Sequence, residues 1–219
     1  MGFGIKAEVW GEYALFTRPE MKVERVTYDV MTPSAARGLI SSIYWHPGMK
    51  WIIDRIYVLN PIELATIRRN EVKSKISASN VREVMNGGTG ALAIHAQSDI
   101  QQRASLILRN VHYIIEAHFD MTDTAASSDS PEKFYSITTR RLKEGQCYYQ
   151  PCFGCREFPA KFRLFPGGRI MTAYPDTDRD LGFMLYDMDY TDSENITPMF
   201  FHAVLRHGVL DLTDCEVYR

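Results

Sequence analysis

Leu106–Phe119, LILRNVHYIIEAHF, alternates with a period of two. Val111, Tyr113, Ile115, Ala117 and Phe119 fall on one face of it, and His112, Ile114, Glu116 and His118 on the other. A pleated strand imposes this period, and the mostly apolar face must be covered by something. Working outward, Thr122–Ser130 is a small-residue, acidic loop, and Pro131–Lys143 reads as a helix with proline near its start. Arg156–Leu164 reads as a further strand, with Phe158, Phe162 and Leu164 on one face. Upstream, Ile5–Phe16 (IKAEVWGEYALF) is rich in β-branched and aromatic residues and reads as a strand. Thr32 can cap a helix whose first turn accepts Pro33; Ala35, Ala36, Leu39, Ile40 and Ile43 follow at helical spacing, and Pro47-Gly48 is the stop signal. Met49–Leu59 and Ile62–Ile76 read as strands. Ser77–Ile100 is assigned no element; it contains Asn86-Gly87-Gly88-Thr89-Gly90, which reads as a flexible loop.

The order strand, helix, strand, then strands, helix, strand resembles a split βαβ unit. It predicts an α+β, ferredoxin-like (RRM-like) core over residues 1–165. Gly167-Gly168 marks a boundary, and the hairpin-rich remainder, 166–219, forms a small C-terminal antiparallel β domain. Many functions use such a core, RNA binding often among them.

The net charge of −2 over 219 residues favours no polyanion, but its distribution does. Lys133–Arg169 carries +6 and Arg68–Arg82 carries +4, whereas Tyr174–Arg219 carries −7. A nucleic acid is drawn to the first two segments and repelled by the third. Arg68, Arg69, Lys73, Lys75, Arg140, Arg141 and Arg156 are the candidate phosphate contacts. The start, Met1–Trp10, alternates polar and apolar residues, and no stretch approaches a membrane span, so no membrane partner and a cytoplasmic location are expected.

Cys147, Cys152 and Cys155 have the spacing of a plant-type iron–sulfur loop, but Tyr148, Tyr149 and Phe153 between them read as packing. Glu116 and His118, about 6.7 Å apart along one strand face, are the two residues of that face that could meet at one metal, and nothing nearby completes a ligand set. No cofactor is expected. Ser41-Ser42-Ile43-Tyr44-Trp45-His46-Pro47 places a phenol, an indole and an imidazole at a helix terminus, either as a buried closure or as a site. Glu132-Lys133-Phe134-Tyr135-Ser136-Ile137 opens the second helix. Lys133 stands there against the helix dipole, which suits anion binding or simple solvation.

Five segments in order resemble one family: Gly11-Glu12-Tyr13-Ala14-Leu15-Phe16-Thr17, Ser42-Ile43-Tyr44-Trp45, Asn110-Val111-His112-Tyr113, Lys133-Phe134-Tyr135-Ser136-Ile137 and Phe153-Gly154-Cys155-Arg156-Glu157-Phe158. The family is the Cas-five proteins of type I-C CRISPR systems, the Dvulg subtype. The resemblance implies metal-independent cleavage of CRISPR repeat RNA by its own 2′-hydroxyl. It also implies retention on the 5′ handle, among the other subunits of a surveillance complex. Most other Cas-five proteins are non-catalytic subunits, and the basic segments could equally hold duplex DNA. The family's proposed catalytic trio is a tyrosine, a lysine and a histidine. The tyrosine matches Tyr44 and the lysine Lys133, but the histidine position holds Phe134. Either Tyr44 and Lys133 act alone, or another group such as His46 contributes.

Overall fold

The computed structural model describes residues 3–219 apart from 22, 91 and 193, so the first two residues of the Met1–Trp10 reading lie outside the described residues. The architecture is mixed α+β, with helices covering one large sheet. Its spine is β5, Ile100–Met121, which extends past both ends of the alternating stretch. β1 (Gly4–Ala14) and β3 (Met49–Val58) flank it, both antiparallel. β6 (Lys161–Leu164) adds antiparallel to β1, giving the order β6-β1-β5-β3.

A short strand β2, Arg25–Val26, pairs parallel with β5; helix α1, Pro33–Ile43, links β2 to β3, and α3, Pro131–Glu144, links β5 to β6. Both begin as their capping chemistry dictates. The Thr32 hydroxyl accepts the Ala35 N–H at 3.2 Å, the Ser130 hydroxyl accepts that of Lys133 at 3.3 Å, and proline takes the first turn of each helix. Ala36, Leu39, Ile40 and Ile43 of α1 are buried, as are Phe134, Thr138 and Leu142 of α3, where Phe134 meets Phe119 of β5. The other face of β5 is stitched by ion pairs and hydrogen bonds. His112 meets Glu8, His118 meets Asp54, and Glu116 accepts from the Tyr57 hydroxyl. Glu116 and His118 therefore have separate partners on β3. Among the described residues no group of three or more His, Cys, Asp or Glu is placed to hold a metal ion.

The C-terminal segment contributes a hairpin, β7 (Asp178–Asp189) with β8 (Thr197–Arg206), and β9 (Val209–Asp211), which joins β3. Arg37 of α1 grips Asp187 of β7 through two hydrogen bonds of 2.6 and 2.7 Å. Met184, Phe201, Leu205 and Leu210 share the core with β1, β3 and β5.

Two sequence expectations are corrected. The strand expected over 156–164 is only β6, because residues 152–158 form a tight turn: Phe153 N–H donates to Phe158 C=O at 2.9 Å, and Phe158 N–H to Cys155 C=O at 3.0 Å. The strand expected over 62–76 is shorter: β4, Glu63–Val72. The unassigned stretch 77–100 contains α2, Ala78–Met85, a helix with no buried residue and hence no apolar stripe fixed by packing, and the expected loop 86–90 follows it. β4 pairs with Ile100–Arg109 of β5, and together with α2 they form an arm. β3 and β4 run in line along the same edge of β5. They are interrupted where Asn110 takes a left-handed φ of 51° and its carbonyl accepts the Asn60 side-chain amide at 2.8 Å. Asparagine tolerates that conformation better than most residues.

Candidate active site

Helix α1 stops at Ile43, earlier than Pro47-Gly48 suggests, because Tyr44 already has extended backbone. Its N–H closes the last turn onto Ile40 C=O at 3.1 Å. Its own carbonyl accepts the Trp51 indole N–H at 2.9 Å. The orphan carbonyls of the last turn find tertiary donors. Arg141 of α3 donates to Ile43 C=O at 2.6 Å, and the Tyr148 and Tyr149 N–H groups both donate to Ser42 C=O at 3.0 Å. A cation at a helix C-terminus also suits the dipole. These bonds fix the direction in which Tyr44, Trp45 and His46 leave the helix.

Tyr44 is buried against Phe134, ring centroids 6.1 Å apart, with the Arg141 guanidinium 5.1 Å over its ring. The His46 ring lies 4.9 Å from that of Phe134. His46 Nδ1 accepts the Gly48 N–H at 3.1 Å, so the neutral ring carries its proton on Nε2 and offers a donor there. Lys133, in the first turn of α3, donates from Nζ to Asp129 Oδ1 at 3.0 Å and to Ser128 C=O at 3.4 Å. Tyr44, His46 and Lys133, taken from two distant segments, thus gather around one buried phenylalanine.

Asp129 is the residue that the sequence reading misses. Its side chain is only 3 % exposed. One oxygen takes the Lys133 ammonium; the other accepts the Ala126 N–H at 3.0 Å and lies 3.7 Å from His46 Nδ1. The signal that could have found it is its place, four residues before Lys133 and directly before the helix cap Ser130, where an i,i+4 pair forms. The hydrogen bond from Lys133 holds the Asp129 carboxyl below the ordinary range. Burial raises the Tyr44 phenol, against the opposing pull of the Lys133 and Arg141 charges. Tyr44 is therefore an O–H donor at neutral pH and a poor base. With one phenol, one ammonium and one imidazole N–H, the site is equipped to bind and stabilise an anionic oxygen.

A family profile described as CRISPR-associated protein (Cas_Cas5), of the Cas5d type, matches residues 4–213. The chain belongs to the Cas5d family. A relative from Mannheimia succiniciproducens, named CRISPR pre-crRNA endoribonuclease Cas5d, is 47% identical over 213 residues, which are 95% of this chain and 94% of the relative. One of the same name from Thermus thermophilus is 37% identical over 227 residues, covering 95% and 90%. A solved structure described as a CRISPR-associated protein superposes with a TM-score of 0.70 at 22% identity, covering 99% of this chain and 96% of that one; it supports the fold alone.

In this Cas5d-family chain the other expected residues are dispersed. Arg68, Lys73 and Lys75 are exposed on the arm, and Arg140 is exposed on α3. Arg156 is exposed on the turn beside the site, whereas Arg141 forms part of the site itself. Arg69 is corrected. Strand alternation turns it away from Arg68, and its guanidinium, 11 % exposed, is committed to Glu157 at 3.1 Å and Glu71 at 3.1 Å. The reading of the cysteine loop as packing holds for Phe153, which is fully buried, and is overturned for Tyr148 and Tyr149, which are exposed.

Proposed function

We propose that this Cas5d-family chain is a pre-crRNA endoribonuclease that cuts CRISPR repeat RNA without a metal ion and then stays on the 5′ handle as a subunit of a type I-C surveillance complex. The observation that carries the cleavage is the convergence of Tyr44, Lys133 and His46. The curated relatives' name supports the substrate, and the order β6-β1-β5-β3 supports a ferredoxin-like core for residues 1–165, with 166–219 as a smaller β appendage.

In the reaction, the ribose 2′-oxygen attacks phosphorus and loses its proton. The P–O5′ bond breaks, and a proton reaches O5′. The products are a 2′,3′-cyclic phosphate and a 5′-hydroxyl. Tyr44 orients the 2′-hydroxyl or the phosphate through its O–H, in keeping with its raised pKa. Lys133, held by Asp129, stabilises the phosphorane charge. His46 donates a hydrogen bond from Nε2 to the developing negative charge, while water takes up the 2′-proton and supplies the one that reaches O5′. General acid–base assistance gives about 10²–10⁴ in rate, enough for a slow, single-turnover processor. Cleavage of the native repeat is expected to survive EDTA and to leave cyclic-phosphate and 5′-hydroxyl ends. A strict magnesium requirement, or 5′-phosphate products, would mean a different mechanism.

Binding through the exposed basic residues of the arm and of the segment 133–169 predicts a steep loss of RNA affinity with salt, by counterion release. A flat response on titrating salt from about 50 to 200 mM counts against this electrostatic reading. Competition between repeat RNA and random duplex DNA identifies which polyanion is preferred.

A second reading, a non-catalytic RNA-binding subunit, is favoured by Phe134. It is fully buried between Tyr44, His46 and Phe119, so the position of the family's histidine is here a packing position with no proton to give. Incubation of the purified chain with repeat RNA separates the two readings.

A further inference from the structure

Beside Tyr44 lies an open cleft of about 590 Å³ whose composition the cleavage chemistry does not use. Its walls are the side chains of Trp45, Tyr148 and Tyr149, which are 57 %, 72 % and 66 % exposed. Single rings left in water are ordinary, but three together lining one cleft form an apolar patch of the kind that marks a binding surface. They are not loose. Both tyrosine N–H groups bond to Ser42 C=O, which pins their loop to the end of α1, and the two rings meet edge to face with centroids 4.5 Å apart. The floor is α1 at Gly38 and Ser42, and a Cβ built on Gly38 would meet nothing within 4 Å. A flat ring can approach the helix backbone there. Arg141 joins the cleft to the site, since it lines one and covers the Tyr44 ring of the other.

We infer that this cleft takes one unpaired nucleobase of the RNA, stacked on the aromatic wall, and that it thereby presents the neighbouring sugar and phosphate to Tyr44. The inference rests on the RNA-cleavage reading and adds a specificity-determining subsite to it. Charge argues for a nucleotide over an apolar peptide. The two tyrosines of the wall belong to the segment 133–169, which carries +6. The cavity continues past Tyr149 to Gln150 and Arg156, where a following phosphate finds a cation. Single-stranded RNA is held in this way elsewhere, by aromatic stacking with basic residues tracking the backbone. The volume lies within the range of small-ligand clefts.

The test uses the full chain and the repeat transcript of its own CRISPR array. A single abasic nucleotide is moved along the RNA, with a 2′-deoxyribose at the cleavage site in the binding arm and ribose in the cleavage arm. One abasic position is expected to weaken binding about tenfold with the parent and to have no further effect with the Tyr148→Ala/Tyr149→Ala variant, which itself binds intact RNA about tenfold more weakly. 2-Aminopurine at that position should be quenched on binding the parent and not the variant. Gly38→Leu, which fills the floor and replaces a glycine inside α1, should reproduce the loss with a Tm no lower than the parent's. The inference is overturned if the parent tolerates every abasic position equally, or if the double variant and Gly38→Leu both bind and cleave as the parent does. Should the parent bind with one sensitive position but fail to cleave, the cleavage reading fails and the subsite stands.

Discussion

Lys133→Ala is expected to slow single-turnover cleavage of repeat RNA about 10²-fold, and Tyr44→Phe at least about tenfold, with RNA affinity changed little in either variant. Tyr44→Phe removes one hydroxyl and keeps the buried ring against Phe134 and Arg141. Lys133→Ala does more than remove a charge, because it leaves the buried Asp129 carboxylate with only the Ala126 N–H and a distant imidazole. A Tm must accompany it, and Lys133→Arg, which keeps a cation at the carboxylate, should recover part of the rate. Asp129→Asn should slow cleavage too, and combined with Lys133→Ala it should add little, since both act through one ammonium. The pH profile gives an independent check. Tyr44 is raised above its ordinary value and stays protonated through neutral pH, so no rising limb at or below about pH 10 should disappear in Tyr44→Phe. Asp129 is depressed, so its pairing is fully present above the ordinary carboxylate pKa and is lost only as pH falls through the lower folded value. Neither group explains a break near pH 7. Phe134→His is expected to lower the Tm, because it puts a polar ring into a fully buried packing position between Tyr44, His46 and Phe119. If Tyr44→Phe and Lys133→Ala both cleave as the parent does, the chemistry lies elsewhere, and His46 is the next residue to change.

What the sequence made legible follows from where local chemistry decides. Thr32-Pro33 and the proline at 131 announce their helices because capping is satisfied within four residues. The alternation at 111–119 is written by one buried face. The far end of β5, IQQRAS at 100–105, mixes Ile100 and Ala104 with polar residues where it pairs with β4, and no alternation marks it. Tyr44 and Lys133 stand out by resemblance. That they share a site depends on Arg141 crossing to the end of α1, a contact separated by 98 residues. Asp129 hides in a loop without periodicity.

Gly154→Ala is expected to destabilise the fold by about 3–5 kcal/mol, a large share of an ordinary folding free energy. Gly154 has a left-handed φ of 83°, and a Cβ there would stand 2.0 Å from the Leu15 carbonyl oxygen. Backbone cannot move aside as a side chain can. The Leu15 N–H is itself bonded to Phe153 C=O at 3.0 Å, and the buried Phe153 ring rests where Gly11 has no side chain. The Phe153-Gly154-Cys155 and Gly11 motifs are thus two halves of one close approach between the end of β1 and the turn before β6. Chemical denaturation of Gly154→Ala beside the parent checks this; equal midpoints would show that the turn can open without cost.

The continuous strand β5 makes the arm and the core one girder. The same backbone carries Phe119 beside the site and Ile100 at the far end, and the left-handed Asn110, held by Asn60, lies between them. The span is thereby a ruler counted in residues. Lengthening β4 and β5 together by two residues each would move the tip outward by about 7 Å with the same face forward, whereas adding one to each would turn every side chain on it to the opposite side.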